Sequence, residues 1–296
     1  MRLLAGALLM LAVTARAQEL EPRAFSPGPS GLNIAIASLG YSSGDLVFDS
    51  SIPIEGATAD VVTAGAGYQR FFGLFGQTAK FAALFGVADC NARGQVQDQY
   101  HERHFRGLTD PRIGLSWIFY GAPAMTPRQY ALYKPKTLAG FSLAVSPPVG
   151  QYDDTKLLNA GTNRWTLRTQ LGIARYRGPW TLEATLGASF FTDNHDYFPG
   201  NATQSQNPIT SLQLHCGYTI KPQFWVAASA TYYRGGGTAI DDVPRPGFQS
   251  NSRYGLTASI PLPKRQSLQI NYSRGLITRT GSNYDTAIVG WGIRWF

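Results

Sequence analysis

Four histidines, two cysteines and several paired aspartates are the residues of this chain with the chemistry for catalysis or metal binding. His101 and His104 flank Glu102, a grouping that can hold a metal adventitiously. Asp153-Asp154, Asp193-x-x-Asp196 and Asp241-Asp242 carry oxygen ligands of the kind that suit Ca²⁺ or Mg²⁺. Simple solvation of loop carboxylates accounts for these pairs equally well and is the preferred reading. There is no Gly-x-Ser-x-Gly elbow and no two-His helical metal motif. Cys90 and Cys216 are too few for a disulfide framework or a cysteine-rich zinc site. No enzymatic activity, cofactor or metal is therefore expected. A second set holds more promise: Arg112, Arg168, Arg253 and Arg294, with Glu183 and Tyr233. Guanidinium groups stay charged and offer forked donors to carboxylates, so an aromatic carboxylate could use arginine for its charge and Tyr233 for its ring. That chemistry requires all six residues to face one interior.

The elements that would place them there are strands. Trp180, Leu182, Ala184, Leu186, Ala188 and Phe190 alternate with Thr181, Glu183, Thr185, Gly187 and Ser189. Phe224, Val226, Ala228, Ala230 and Tyr232 alternate with Ala227, Ser229, Thr231 and Tyr233. A period of two marks a strand with two different faces. It recurs in twelve segments, near 32–42, 60–71, 78–89, 110–120, 137–147, 163–175, 180–191, 209–220, 224–234, 251–260, 267–276 and 285–295. Each is about ten residues, the length that crosses a bilayer as a tilted strand. Short connections alternate with long ones near 43–59, 90–109, 148–162, 192–208, 235–250 and 277–284. This is the plan of an antiparallel transmembrane β-barrel of about twelve strands in an outer membrane. A soluble β-sandwich would also alternate, but it need not alternate loop length.

Composition agrees. The chain has 296 residues, 44% hydrophobic and 12% aromatic but only 15% charged, against the ~25% charge of ordinary soluble domains. All but Glu19, Glu21 and Glu183 of the 18 acidic residues fall in or beside the long connections. Lipid-facing charge near the midplane costs about 2–4 kcal/mol, which keeps such residues at the rims. Trp165, Trp180, Trp225, Tyr232 and Trp295 stand at segment ends, as in interfacial aromatic belts. The net charge of +8 is dispersed and forms no patch for nucleic acid.

Met1-Arg2, an apolar run from Leu3 to Val13 and Ala15-Arg16-Ala17 read as a signal peptide over 1–17. Residues 18–31, with Pro22, Pro27 and Pro29, read as an unpaired leader, and 32–296 as the barrel. Thr126-Pro127-Arg128-Gln129 has capping-box spacing and predicts a short helix to Tyr133 on the short-turn side, a plug over the mouth. If the apolar set faces lipid, the inward set contains the four arginines, Glu183, Gln170, Gln213, His215, Tyr233, Asn271 and many Ser and Thr residues. There, Glu183 and an arginine can equally form a salt-bridge network that fills a narrow barrel. His215 reads as filler, and Cys216 falls on the lipid face.

The chain ends Trp291-Gly-Ile-Arg-Trp-Phe296, which resembles the terminal signal of outer-membrane barrels; Trp295 is in phase with the lipid set and Phe296 one step out. Tyr41-Ser-Ser-Gly-Asp45, Asp110-Pro-Arg-Ile-Gly-Leu115, Phe119-Tyr-Gly-Ala-Pro-Ala124, Gly150-Gln-Tyr-Asp153, Lys156-Leu-Leu-Asn-Ala-Gly-Thr-Asn-Arg-Trp165, Thr231-Tyr-Tyr-Arg-Gly-Gly236 and Arg279-Thr-Gly-Ser282 resemble a family of bacterial outer-membrane transporter-like proteins linked to the meta-cleavage pathway of phenol degradation. The resemblance implies a membrane barrel and uptake of hydrophobic or aromatic compounds. It names no binding residues, and 90–105 lies outside it.

The expectation is a monomeric outer-membrane barrel for passive passage or uptake of small solutes, aromatic or anionic ones among them. Its partners would be outer-membrane lipid and lipopolysaccharide, the barrel-assembly machinery and the solute. The alternative is a non-transporting closed barrel that displays loops for adhesion or envelope stability. Pore radius separates the two.

Overall fold

The computed structural model describes residues 20–47, 54–96 and 99–296. The expected signal peptide, its expected cleavage point before Gln18, Glu19, Asp49 and Asp98 lie outside the described residues.

Twelve long strands close into one antiparallel barrel. They are β1 Asn33–Val47, β2 Ile54–Leu74, β3 Gln77–Val96, β5 Arg112–Tyr120, β6 Thr137–Ser146, β7 Thr166–Arg177, β8 Trp180–Phe191, β11 Ile209–Lys221, β12 Phe224–Gly235, β15 Gln249–Leu262, β16 Gln266–Ile277 and β17 Gly281–Trp295. Each pairs with its sequence neighbours in this set. β1 and β17 seal the ring, from Asn33 opposite Trp295 to Val47 opposite Gly281. Closure leaves no strand edge in lipid, where an unpaired backbone group costs several kcal/mol. Leu171, Ile173, Leu186, Leu214 and Leu256 stand outward and exposed, while Gln170, Thr185, Gln213 and Thr257 between them are buried inside. The outside is therefore the apolar face, as lipid demands. Tight turns follow from local chemistry: Phe75 and Gly76 both take positive φ and join Leu74 to Gln77, the mirror-image turn whose twist suits a hairpin.

The long-loop end departs from the sequence reading. Segments 43–59 and 90–109 are largely strand. β1, β2 and β3 continue past the expected boundary, and β4, Gln99–Leu108, folds back on β3. The alternation persists there, with Cys90, Ala92 and Phe105 inward and Asn91, Arg93 and His104 outward. Charges on one face disguised the apolar other. Loops 192–208 and 235–250 build a separate four-stranded sheet of β9 Asn194–Tyr197, β10 Ala202–Gln206, β13 Thr238–Ile240 and β14 Val243–Arg245. On the short-turn side, α1 spans Pro127–Leu132, with the reciprocal Thr126–Gln129 capping box in place. None of its residues is fully buried, and it touches residues 20–31 at the mouth through Tyr130.

Residues 20–31 join no strand, as expected of the leader, yet they are not free of the barrel. They enter from the short-turn end and climb the lumen, and the apolar and charged groups they carry find partners on its wall.

Candidate functional site: the barrel lumen

The leader is anchored at four heights. At the short-turn mouth, Ser30 N–H donates to the Met125 carbonyl (2.7 Å), and Tyr130 of α1 donates its hydroxyl to the Pro27 carbonyl (3.0 Å). Higher up, Phe25 lies buried with Ile118, Ala122, Leu138 and Ala174. Its ring fills a notch opposite Gly140 and Gly172, which pair across β6 and β7; a Cβ on either would stand 2.3 Å from the ring. The Lys80 ammonium donates to the Ala24 carbonyl (3.2 Å). Above this, the Arg23 backbone N–H donates to Glu183 (2.7 Å), its guanidinium to Thr219 (2.7 Å), and it lies 4.4 Å over the Trp225 ring. Highest, Glu21 accepts from Arg112 (3.0 Å) and Arg168 (3.3 Å).

The six residues singled out from the sequence thus separate into groups. Arg112 and Arg168 meet on Glu21, and Glu183 meets the Arg23 backbone. Tyr233 is fully buried and accepts from Asn251 Nδ2 (3.1 Å). Arg253 is buried, donating to the Tyr284 carbonyl (2.8 Å) and Ser273 (3.2 Å). Arg294 sits at the short-turn rim and reaches Gln223 Oε1 (2.5 Å). They do not form one ladder along an aqueous pore. Trp225 is inward and buried beneath Arg23, not in the aromatic belt; its neighbours Phe224 and Val226 hold the outward phase. Trp165, Trp180, Tyr232 and Trp295 are exposed on the outside.

His215 Nδ1 lies 2.8 Å from Ser229 Oγ, and Glu183 is opposite His215 in the adjacent strand. The resemblance to a catalytic triad ends there. His215 Nε2 has no hydrogen-bond partner among the described residues, and the Glu183 carboxylate is engaged by the leader. His104 pairs with Asp89 (2.9 Å) rather than with His101, and no cluster of metal-ligating residues occurs among the described residues.

The leader makes the lumen lopsided. Against β7, β8, β11 and β12 the inward residues are buried: Gln170, Thr181, Thr185, Gln213, His215 and Thr231. On the wall from β16 through β17 and β1 to β2 they are half-buried: Gln269, Asn271, Ile288, Gly290, Ile36, Ser38, Thr63 and Gly65. That wall is neutral and lined by small groups. At Gly290 a Cβ would find nothing nearer than 3.9 Å. A small residual cavity of about 10 Å³ borders the leader at Ala24, Ser26, Phe71 and Lys80. Sequence reasoning missed Glu21, Arg23 and Phe25. The available signal was that Arg112, Arg168 and Glu183 need partners if buried, and the leader carries opposite charge within reach.

The closed barrel, lipid-ready exterior and polar interior define an outer-membrane β-barrel protein. The chain belongs to the family described as "Putative MetA-pathway of phenol degradation", whose model matches residues 41–293. Among solved structures it resembles an outer membrane channel from Pseudomonas putida F1, with 17% identity, covering 94% of this chain and 100% of that one, at a TM-score of 0.77. It also resembles the β domain of the Bordetella autotransporter BrkA, with 12% identity, 90% and 100% coverage and a TM-score of 0.54. At these identities the likeness is one of fold. The curated proteins give no match.

Proposed function

We propose that this protein is an outer-membrane channel for passive passage of small solutes, with its own leader as a resident plug. The observation that carries this reading is the lopsided lumen. One wall is packed against the leader, and the other, from β16 to β2, is half-buried, neutral and lined by Gly, Ser, Thr, Asn, Gln and Ile. The fold likeness to an outer membrane channel supports it. A solute moving along that wall would meet hydrogen-bonding groups and methyls, not a ring of charge. Arg112 and Arg168 share Glu21, so an anion gains less from them than their number suggests. Small uncharged solutes, aromatic ones included, suit this surface better than anions do. The path needs neither cofactor nor energy source.

The specific observation that favours the alternative, a closed barrel displaying its loops, is the buried opposite wall. Conductance of the refolded protein in a planar bilayer separates them. The channel reading expects small, intermittent openings in the full-length mature chain and larger, sustained ones when Phe25→Ala weakens the leader. Silence in both proteins would establish the closed barrel.

A further inference from the structure

The family-like phrase that begins at Asp110 stands at least 40 residues before those that begin at Gly150 and Lys156, yet the three meet at the long-loop mouth. Asp110 is buried, and both its carboxylate oxygens are used. Oδ1 accepts from Gly150 N–H (2.8 Å). Oδ2 accepts from the Thr162 N–H (2.9 Å) and hydroxyl (2.7 Å). The Gln151 N–H donates to the Leu108 carbonyl (2.8 Å), the last residue of β4, and the Gly161 N–H donates to the Gln151 carbonyl (2.8 Å). Gly150 and Gly161 touch through their backbones, so a Cβ on Gly150 would stand 2.8 Å from the Gly161 Cα. Residues 150–162 are therefore a loop pinched at its neck and tied to the barrel through one carboxylate. Within it, Asn159 bonds back to Asp153 and Lys156, which keeps it compact.

Beneath this loop the inward faces of the extended strands meet. Leu46, Ala57, Ala59, Val61, Ala88, Cys90, Ala92, Phe105 and Tyr284 form one apolar cluster, and the loop contributes Leu158 and Ala160 to it. The cluster lies above the neutral half-buried wall, where Ser42, Thr63 and Thr286 begin the polar interior. An apolar cluster at the mouth of a polar lumen is unusual packing for a barrel whose only need is to be filled. It is what a constriction needs if it is to stay dry and admit solutes without their water.

We propose that residues 150–162 are the lid of the solute path, latched by Asp110, and that the apolar throat beneath it passes small uncharged solutes more readily than ions. The proposal rests on the channel reading for its purpose. Its geometry can be tested without any conductance. With the lid seated, Leu158 and Ala160 complete the throat and narrow the path. With the lid lifted, the walls left behind offer mostly methyl and aromatic groups, with Arg103, 5.8 Å from the Phe105 ring, as a charge on the same face. A hydrated ion exchanges its water for a largely apolar surface there, whereas a neutral aromatic solute gains contact with Phe105 and Leu46.

Cys90 lies inside the throat, fully buried, and supplies the probe; Cys216, on the lipid face, is removed by Cys216→Ser. In the refolded full mature chain, Cys90 is labelled with N-ethylmaleimide, which is neutral, or with an anionic sulfonatoethyl methanethiosulfonate. Each rate is normalised to the rate on the same protein unfolded in denaturant. With Asp110 intact, both rates are expected to be slow. Asp110→Asn and, separately, Thr162→Ala should raise the neutral rate at least tenfold and the anionic rate several times less. Heat-modifiable migration reports that each barrel is folded, and Thr162→Ala stands in if Asp110→Asn fails to fold. Unchanged neutral labelling in a folded latch variant would overturn the lid. Equal acceleration of both reagents would overturn the selectivity of the throat. Accelerated neutral labelling in a protein that never conducts would leave the lid standing and remove the channel reading instead.

Discussion

Arg168 reaches Glu21 across 147 residues of sequence, Nη1 3.3 Å from Oε1, and so ties the barrel wall to the segment that precedes it. Arg112 shares the same carboxylate oxygen at 3.0 Å. Both guanidinium groups are largely shielded from water, and the carboxylate is what allows them to be there. Glu21→Gln keeps the shape and removes the charge. Hydrogen bonds to charged groups contribute about 1.5–3 kcal/mol, so the docked leader should loosen by that order. Limited trypsin digestion reads this at Arg23, which is shielded while the leader is docked. Cleavage there should speed up in Glu21→Gln with the barrel itself still resistant; an unchanged rate would mean that the ion pairs do not hold the leader.

The second anchor is steric. Gly140 and Gly172 lack the Cβ that would collide with Phe25 at 2.3 Å. Gly172→Val should expel the ring while β7 keeps its pairing, because a β-branched residue suits a strand. Phe25→Ala should weaken docking by about 3–5 kcal/mol, the usual range for a buried phenylalanine. Both variants are expected to fold and to conduct more than the parent. A Gly172→Val protein with parental conductance and a protected leader would sink the notch as an anchor.

The residual path makes a separate prediction. At Gly290 there is open space on the lumen side, so Gly290→Leu should be tolerated by the fold and should narrow the neutral wall. In a Phe25→Ala background, conductance should fall by about half or more. If it stays the same, solutes and ions travel elsewhere in the lumen.

The strands were legible in the sequence because alternation is forced on them by two solvents, lipid outside and a polar interior. Leu182, Ala184 and Leu186 against Thr181, Glu183 and Thr185 leave little choice of assignment. The leader was not legible. Pro22, Pro27 and Pro29 break any period, and nothing local indicates that Phe25 has a notch 115 residues away, at Gly140. The inward direction of Arg112, Arg168, Arg253 and Glu183 could be read from phase; their separation into distinct contacts could not, since it depends on which partner each meets in space. The strand extensions were missed for a different reason. Asn91, Arg93, Glu102 and His104 made 90–109 look like a solvated loop, when they form one face of a ribbon whose other face carries Cys90, Ala92 and Phe105.

The last strand bears on assembly. Trp295 is opposite Asn33 at the seam, and its ring lies 6.3 Å from that of Tyr68. Trp295 and Phe296 are both exposed on the outside. Deleting the two should lower outer-membrane yield, because the final strand must be recognised and must then pair with β1 to remove the last open edge. Fractionation with heat-modifiable migration measures it. Parental yield of folded protein after the deletion would show that the terminal aromatics are dispensable.

Ion selectivity tests how the lumen charges combine. In the parent protein Arg112 and Arg168 face Glu21, leaving one net positive charge where two guanidinium groups stand. Arg253 is occupied by the Tyr284 carbonyl and Ser273, and Arg294 lies at the rim. The acidic loops outside are screened over a Debye length of about 8 Å at physiological salt. The parent channel should therefore show reversal potentials close to zero across a salt gradient. Glu21→Gln leaves both arginines uncompensated in a confined, partly dehydrated space, where charge acts more strongly than in water. Its reversal potential should move toward that of the anion, and Arg168→Ala added to Glu21→Gln should move it back. A parent protein that already prefers anions strongly would mean that Glu21 does not neutralise the pair when the channel is open. A cation preference in Glu21→Gln would show that the conducting path bypasses Arg112 and Arg168 altogether.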